Sequence, residues 1–392
     1  MDIEAFHRTC SVLPSHKPWL VVQGRPGTFY IDHNHPFGAA CASSNSGMIA
    51  NAVVDIWEAE GVGPILKYED DLKVFRMPSA DGAFVDGEFR YDYDREDMLH
   101  RIEPLGVPWH PGKGDNRFTF ITTFIGYLWD IPQRTVSLPE EKWLKFRERV
   151  RRFLNDFCDT HHPCHLLDVQ KIHGSLCHVA FVYTHGRSRL SSISNFASKF
   201  KNDEFRTLYI SSRSMVSDLR WWLNILSSPS IVRLLRPRGP LQDLGLYVDA
   251  STSWGIGIVI GDEWSSFQLS PSWKIQGRDI CWLETIAIEL LVYLLEEKGL
   301  QDAYLLIHSD NQGTIGALGK GRSPNTHINL AIRRIHLALT GLLITPNFVY
   351  IESGANPADP VSRGEPGLVG RRIVPTFMLP EELIDCFVDV KS

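Results

Sequence analysis

The apolar positions in the last third of the chain change period several times. Leu244–Asp249 and Gly255–Ile260 are short apolar runs. In the second, Ile256, Ile258 and Ile260 alternate with smaller residues or Val259, the period-two pattern of a paired strand. Trp264–Leu269 reads as a third strand. From Trp282 to Glu297 the spacing becomes helical, with Leu283, Ile286, Ala287, Leu290, Leu291 and Leu294 on one broad apolar face. Ala303–His308 and Asn347–Ile351 return to strand pattern, with helical segments between and after them. The predicted order is three strands, a helix, a strand, two helices, a strand and a helix, which suits a mixed sheet covered by helices.

The N-terminal part is less regular. Pro18–Val22 and Gly27–Ile31 read as strands, and His35-Pro-Phe-Gly38 breaks the pattern. A helix is predicted from about Ser46 to Ala59, with Ile49, Val53 and Ile56 on one face, ended by Gly61 and Gly63. Ile65 to Phe75 predicts a hairpin with Asp70 and Asp71 at its tip, where Asp is also a favoured turn residue. Glu140 to Phe157 is a basic amphipathic helix carrying Lys142, Lys145, Arg147, Arg149, Arg151 and Arg152. Such a run is a solvated face or a track for a nucleic-acid backbone. The pattern stays mainly helical to Trp222, and Arg233–Leu241, with Pro237 and Pro240, reads as a linker. The fold class is therefore α/β and α+β, in several domains: residues 1–139, a helical segment and linker at 140–240, a mixed-sheet domain at 241–364, and a tail at 365–392.

Bulk properties narrow the classes. At 392 residues the chain exceeds one ordinary core, and 43% hydrophobic with 22% charged residues is globular composition. A net charge of −6 argues against indiscriminate nucleic-acid binding by the whole surface and leaves room for a local groove. No apolar run is long enough to span a bilayer, and the charged N-terminus lacks a signal-peptide core. Seven cysteines without framework spacing suit a reducing compartment, so an intracellular location, cytoplasmic or nuclear, is expected.

The chemistry that stands out is acidic. Asp249 ends a predicted strand, Glu284 lies in the predicted first turn of the long helix, Asp310 ends another strand, and Asp359 opens the last helix. Two of them have an ordinary reading alone: Glu284 would favour the helix dipole, and Asp310 or Ser309 would cap the helix starting near Asn311. Glu289, in the same helix as Glu284, is read as structural. Four converging acids cannot all stay ionised without cations, which points to hard divalent metal and phosphodiester hydrolysis. Cys158-Asp-Thr-His-His-Pro-Cys-His165 has no second ligand pair at finger spacing. Cys177-His178 reads as helix core, so the run is read as structural and not as a zinc site.

Val-Asp-Ala-Ser251, Leu-Glu-Thr-Ile-Ala287, Ser-Asp-Asn311 and Asn-Pro-Ala-Asp-Pro-Val-Ser-Arg363 occur in that order, and together they resemble the RNase H domain of retroelement polyproteins. The likeness is to the DIRS-like, tyrosine-recombinase group and its fungal relatives. It implies two Mg2+ ions, with Mn2+ as a substitute. Asp249 would bridge both, Glu284 and Asp310 would complete one site and Asp359 the other, while Ser251, Asn311 and Arg363 would contact substrate. The substrate class would be an RNA–DNA hybrid read by shape and 2′-hydroxyls.

The N-terminal order resembles a reverse-transcriptase palm. Asp2 with Phe6 is similar to the first palm motif, His35-Pro-Phe-Gly38 to the second, and Tyr68-Glu-Asp-Asp71 to the third. The resemblance implies that Asp2 and Asp70 ligate two Mg2+ ions, supported by Asp71. Phe6, Phe37, Gly38 and Tyr68 would then lie near nucleotide or primer–template, Phe6 by the incoming sugar. Met1 stands directly before the first motif, so the fingers are expected to be missing and polymerase activity impaired. The alternative is an inactive, domesticated or decaying copy that binds nucleic acid or a protein.

Overall fold

A computed structural model describes the chain except for residues 37, 81–83, 86–87, 111, 116, 201–206, 230, 366–369 and 389–392. The chain packs as two compact units, Met1–Pro139 and Glu140–Ser392.

In the first unit, helix α1 (Ala42–Ala59) starts four residues before the predicted Ser46. It buries Ala50, Val53 and Trp57 and leaves Ile49 exposed, so its inward face is rotated from the one predicted. Strands Ile65–Tyr68 and Asp71–Val74 form the expected hairpin, closed by Glu69 and Asp70, with Glu69 in the left-handed region at φ 53°. Leu72 and Val74 point into the same core as α1. Met1 runs beside this hairpin: its amine donates to the Leu72 carbonyl at 2.7 Å, and the Leu72 N–H donates back at 2.9 Å. Helix α2 (Arg95–Arg101) begins with a capping box between Asp94 and Asp97, which satisfies otherwise orphan N–H groups. An antiparallel meander follows, through Ile121–Phe124, Tyr127–Asp130 and Thr135–Ser137. The predicted strands near residues 18–31 shrink to Val21–Gln23 and Phe29–Ile31, an exposed pair.

The second unit opens with helices α3 (Glu140–Phe153), α4 (Leu166–Val182), α5 (Ser191–Ala197) and α6 (Arg213–Ser227). Helix α3 buries Trp143, Phe146, Val150 and Phe153 and ends in a wide turn over Leu154–Asp159, short of the predicted Phe157. Cys177, expected in a helix core, lies on the exposed face of α4. A six-stranded sheet follows, in the order Thr345–Tyr350, Tyr304–Ser309, Leu241–Ala250, Gly255–Ile260, Glu263–Gln268 and Arg371–Arg372. The three strands from Leu241 to Gln268 are antiparallel neighbours, and the Tyr304–Ser309 and Thr345–Tyr350 strands add in parallel. Helices α7 (Ile280–Glu297), α8 (Gln312–Lys320) and α9 (Thr326–Gly341) follow their strands, and α7 packs on the sheet and on α9. The buried faces of α7 and α9 share one core with Leu246, Val248, Ile256 and Ile258.

Two features depart from the predicted domain plan. Within the segment after Gly364, expected as a tail, Ile373, Phe377, Leu379, Leu383, Cys386 and Phe387 belong to this core or pack against it. Arg371–Arg372 pairs with the sheet edge, and helix α11 (Glu381–Ile384) brings Leu383, Cys386 and Phe387 into the main cluster. The helical segment is also tied to α9. Buried Asp218 accepts from Arg189 at 2.8 Å and Arg333 at 3.5 Å, and Arg333 also donates to Ser188 at 3.2 Å. Among the described residues, no helix is long and apolar enough to cross a membrane.

Candidate metal centre

Asp249 and Asp310 leave the same end of neighbouring strands. Val248 and Ser309 are parallel partners, so the residue after each emerges at one sheet edge. Glu284 approaches from α7. That helix begins at Ile280 behind the Asp279 cap, whose carboxylate accepts the Trp282 N–H at 3.0 Å. Glu284 is therefore in the second turn, where the dipole explanation expected from sequence no longer applies. The capping role expected for Asp310 is taken by Asn311, whose Oδ1 accepts the Thr314 N–H at 2.9 Å. Asp310 is thus left facing the other acids. One ligand oxygen from each of Asp249, Glu284 and Asp310 lies within 4.8 Å of the others, the one such cluster among the described residues.

The cluster is electrostatically uncomfortable as it stands. Asp249 and Glu284 are each 3% exposed. Burial, reinforced by Asp249 and Asp310, pushes the Glu284 carboxyl up to about 9. Burial also lifts Asp249 to about 6, against the Ser362 hydroxyl, which favours its charged form. Glu284 Oε1 accepts the Ala250 N–H at 3.2 Å, but Oε2 is buried with no hydrogen-bond partner. A buried orphan carboxylate oxygen costs free energy unless a cation or proton meets it. An all-carboxylate donor set suits a hard divalent ion such as Mg2+.

Asp359 is placed differently. It lies in the short helix α10 (Ala358–Ser362), close enough to raise Asp249, but outside the cluster of three. Its carboxylate accepts two bonds from Arg363, at 2.8 and 3.1 Å. Three residues with no role assigned from the sequence hold α10 in place. Buried Asn356 donates to the Val248 carbonyl at 3.0 Å and caps the Ala358 N–H at 3.1 Å. Ser362 donates to the Asp249 carboxylate. Gly257, opposite Asp249 in the sheet, lets the helix approach, because a Cβ there would stand 2.4 Å from Ser362 N and 2.5 Å from Ala358 O. Gly257 belongs to the alternating run Gly255-Ile-Gly-Ile258, which marks a strand and not what packs above it.

The remaining candidates are scattered. Ser251 is buried and shapes the turn between strands, with its Oγ 2.7 Å from Ser253 Oγ. Asp2 and Asp71 are antiparallel bridge partners, and the Asp70 carbonyl accepts the Ile3 N–H at 3.4 Å. Burial, then Asp70 and Asp2, raise the Asp71 carboxyl. The Lys113 ammonium is 3.3 Å from both Asp2 oxygens, and the three acids do not reach the ligand spacing seen at the sheet edge. Phe6, expected beside a nucleotide sugar, is 4% exposed and packs with Ile3, Val53 and Trp57, because it falls on the inner side of a single 3-10 turn. Tyr68 and Gly38 are exposed, and Phe37 lies outside the described residues. Cys158 and Cys164 are buried, with Cys164 Sγ 3.5 Å from the Tyr209 carbonyl and His161 Nδ1 2.9 Å from the Cys158 carbonyl. Glu289 is fully buried and paired with Arg334 and Tyr293.

No protein-family model and no curated protein matches this chain. Among solved structures, it is similar to a foamy viral protease-reverse transcriptase in complex with an RNA/DNA hybrid. That match is 12% identical, covers 97% of this chain and 46% of the other, and has a TM-score of 0.44. A second foamy viral protease-reverse transcriptase structure, named dRH and in complex with double-stranded DNA, is 14% identical. It covers 90% of this chain and 56% of the other, with a TM-score of 0.42. The chain spans about half the length of these two proteins.

Proposed function

We propose that the C-terminal domain is an RNase H-type nuclease that hydrolyses the RNA strand of RNA–DNA hybrids. The observation that supports it is the buried trio Asp249, Glu284 and Asp310 with one Glu284 oxygen left unpartnered. In this reading, Asp249, Glu284, Asp310 and Asp359 would hold two divalent ions, Mg2+ or Mn2+. When bound, such ions act as Lewis acids that activate water and stabilise the leaving 3′ oxygen. The protein's own part is positioning. The Ser362 hydroxyl orients Asp249, Asn356 fixes α10 to the central strand, and release of Asp359 from Arg363 frees the fourth carboxylate. Isothermal titration of chelator-stripped protein with Mn2+ should show binding that Glu284→Gln weakens at least tenfold. Equal affinity in the variant would count against the site.

We further propose, on the sequence resemblance, that the N-terminal unit is a reverse-transcriptase palm of a DIRS-like retroelement, acting inside the cell on primer–template. Lys113 on Asp2 and the burial of Phe6 favour impaired polymerisation. Primer extension with Mg2+ or Mn2+ should therefore give no product. Incorporation that vanishes on Asp70→Ala would overturn this.

A further inference from the structure

A cavity of about 570 Å3 opens in the first unit, on the side of the hairpin lined by Leu72 to Met77, away from the Glu69-Asp70 tip. That is within the range of small-molecule pockets, about 300–1,000 Å3. Its walls are mostly apolar and aromatic, yet three arginines line it: Arg76, Arg95 and Arg117. The Arg76 guanidinium sits between two rings, 3.8 Å from the centroid of Tyr91 and 4.5 Å from that of Phe118. It is held there by one bond to the Tyr93 carbonyl at 3.3 Å. The Arg95 Nε is buried with no hydrogen-bond partner. The acid in the wall, Asp115, is already taken by Lys73 at 2.6 Å and Thr122 at 2.5 Å. Among the described residues, no carboxylate pairs with Arg76, Arg95 or Arg117.

We infer that this cavity binds a flat aromatic anion, a ring system bearing a phosphate or similar group. The chemistry follows from the walls. Rings and apolar side chains favour a planar apolar body. Arginines with no carboxylate partner among the described residues, one with a buried N–H left unmet, favour a phosphate-like acceptor able to take charge-assisted bonds. An apolar ligand without an acceptor group would leave the buried Arg95 N–H unmet, and a small inorganic anion would leave the apolar walls uncovered. The site is lined by residues of the first unit alone, so it stands or falls independently of that reading.

The test is titration calorimetry on the full chain with 1-naphthyl phosphate, 1-naphthol and inorganic phosphate as probes. Naphthyl phosphate should bind at least tenfold tighter than either of the others. Arg95→Met should weaken it about tenfold, in keeping with loss of a hydrogen bond to a charged group. Should Arg95→Met fail to fold, Arg117→Gln at the exposed rim should still weaken naphthyl phosphate without affecting 1-naphthol. Equal affinity for naphthol and naphthyl phosphate would overturn the inference. So would unchanged binding in Arg95→Met or in Arg117→Gln.

Discussion

Glu284 shows at the scale of one residue what the proposed metal centre requires. Its pKa, raised to about 9, stands well above the ordinary glutamate value of about 4.3, so the folded apoprotein holds a proton that the unfolded chain releases. The sign follows from linkage. The stability tied to this proton is fully present below about pH 4.5 and is lost as pH rises toward 9. Urea unfolding in chelator should therefore show wild-type protein less stable at pH 8 than at pH 5. Glu284→Gln should flatten that dependence and raise apo stability at pH 8 by on the order of 1–3 kcal/mol. An unchanged pH dependence in the variant would mean that Glu284 is not the strained group. The identity of this acid was legible in the sequence, but its environment was not. The Asp279 cap that starts α7 two residues before Trp282 moves Glu284 from the helix end, near solvent, to the buried sheet edge.

At the scale of elements, the strands that were read lie within about three residues of those observed, but the meander from Ile121 to Ser137 and the strand Val232–Leu234, at the start of the stretch read as a linker, were not read as strands. Close approach escaped as well. Helix α10 lies against the sheet only because Gly257 has no side chain, and a glycine in an apolar run carries no sign of what will sit above it. Gly257→Ala should push α10 outward, costing about 1–3 kcal/mol as overpacking and lowering hybrid cleavage at least tenfold through Asp359 and Ser362. Thermal melting and cleavage rates check this together. Full activity in a stable variant would show that α10 does not help to place the site. The segment after Gly364 was illegible for a related reason. A two-residue strand and a four-residue helix are too short to show a period, so only the burial of Leu383, Cys386 and Phe387 reveals that they complete the core.

At the scale of the whole molecule, order along the chain carried more than any local pattern. Asp249, Glu284 and Asp310 come from two strands and a helix separated by dozens of residues, and parallel pairing of the strands brings them together. Asp359 met Arg363 instead because the two are one helical turn apart, a local contact that forms more readily than a distant one. The palm-like acids illustrate the opposite case. Backbone pairing aligns Asp2 with Asp71, yet Lys113 occupies Asp2, so adjacency in the fold does not by itself make a metal centre. The most direct measurement is cleavage of a labelled RNA–DNA hybrid by the full chain in Mg2+, beside Asp249→Asn protein whose fold is verified by circular dichroism. The account predicts cleavage of the RNA strand by wild-type protein and a loss of at least a hundredfold in the variant, with no cleavage in chelator. Cleavage that persists in Asp249→Asn, or a wild-type protein inert toward hybrid in both Mg2+ and Mn2+, would contradict it.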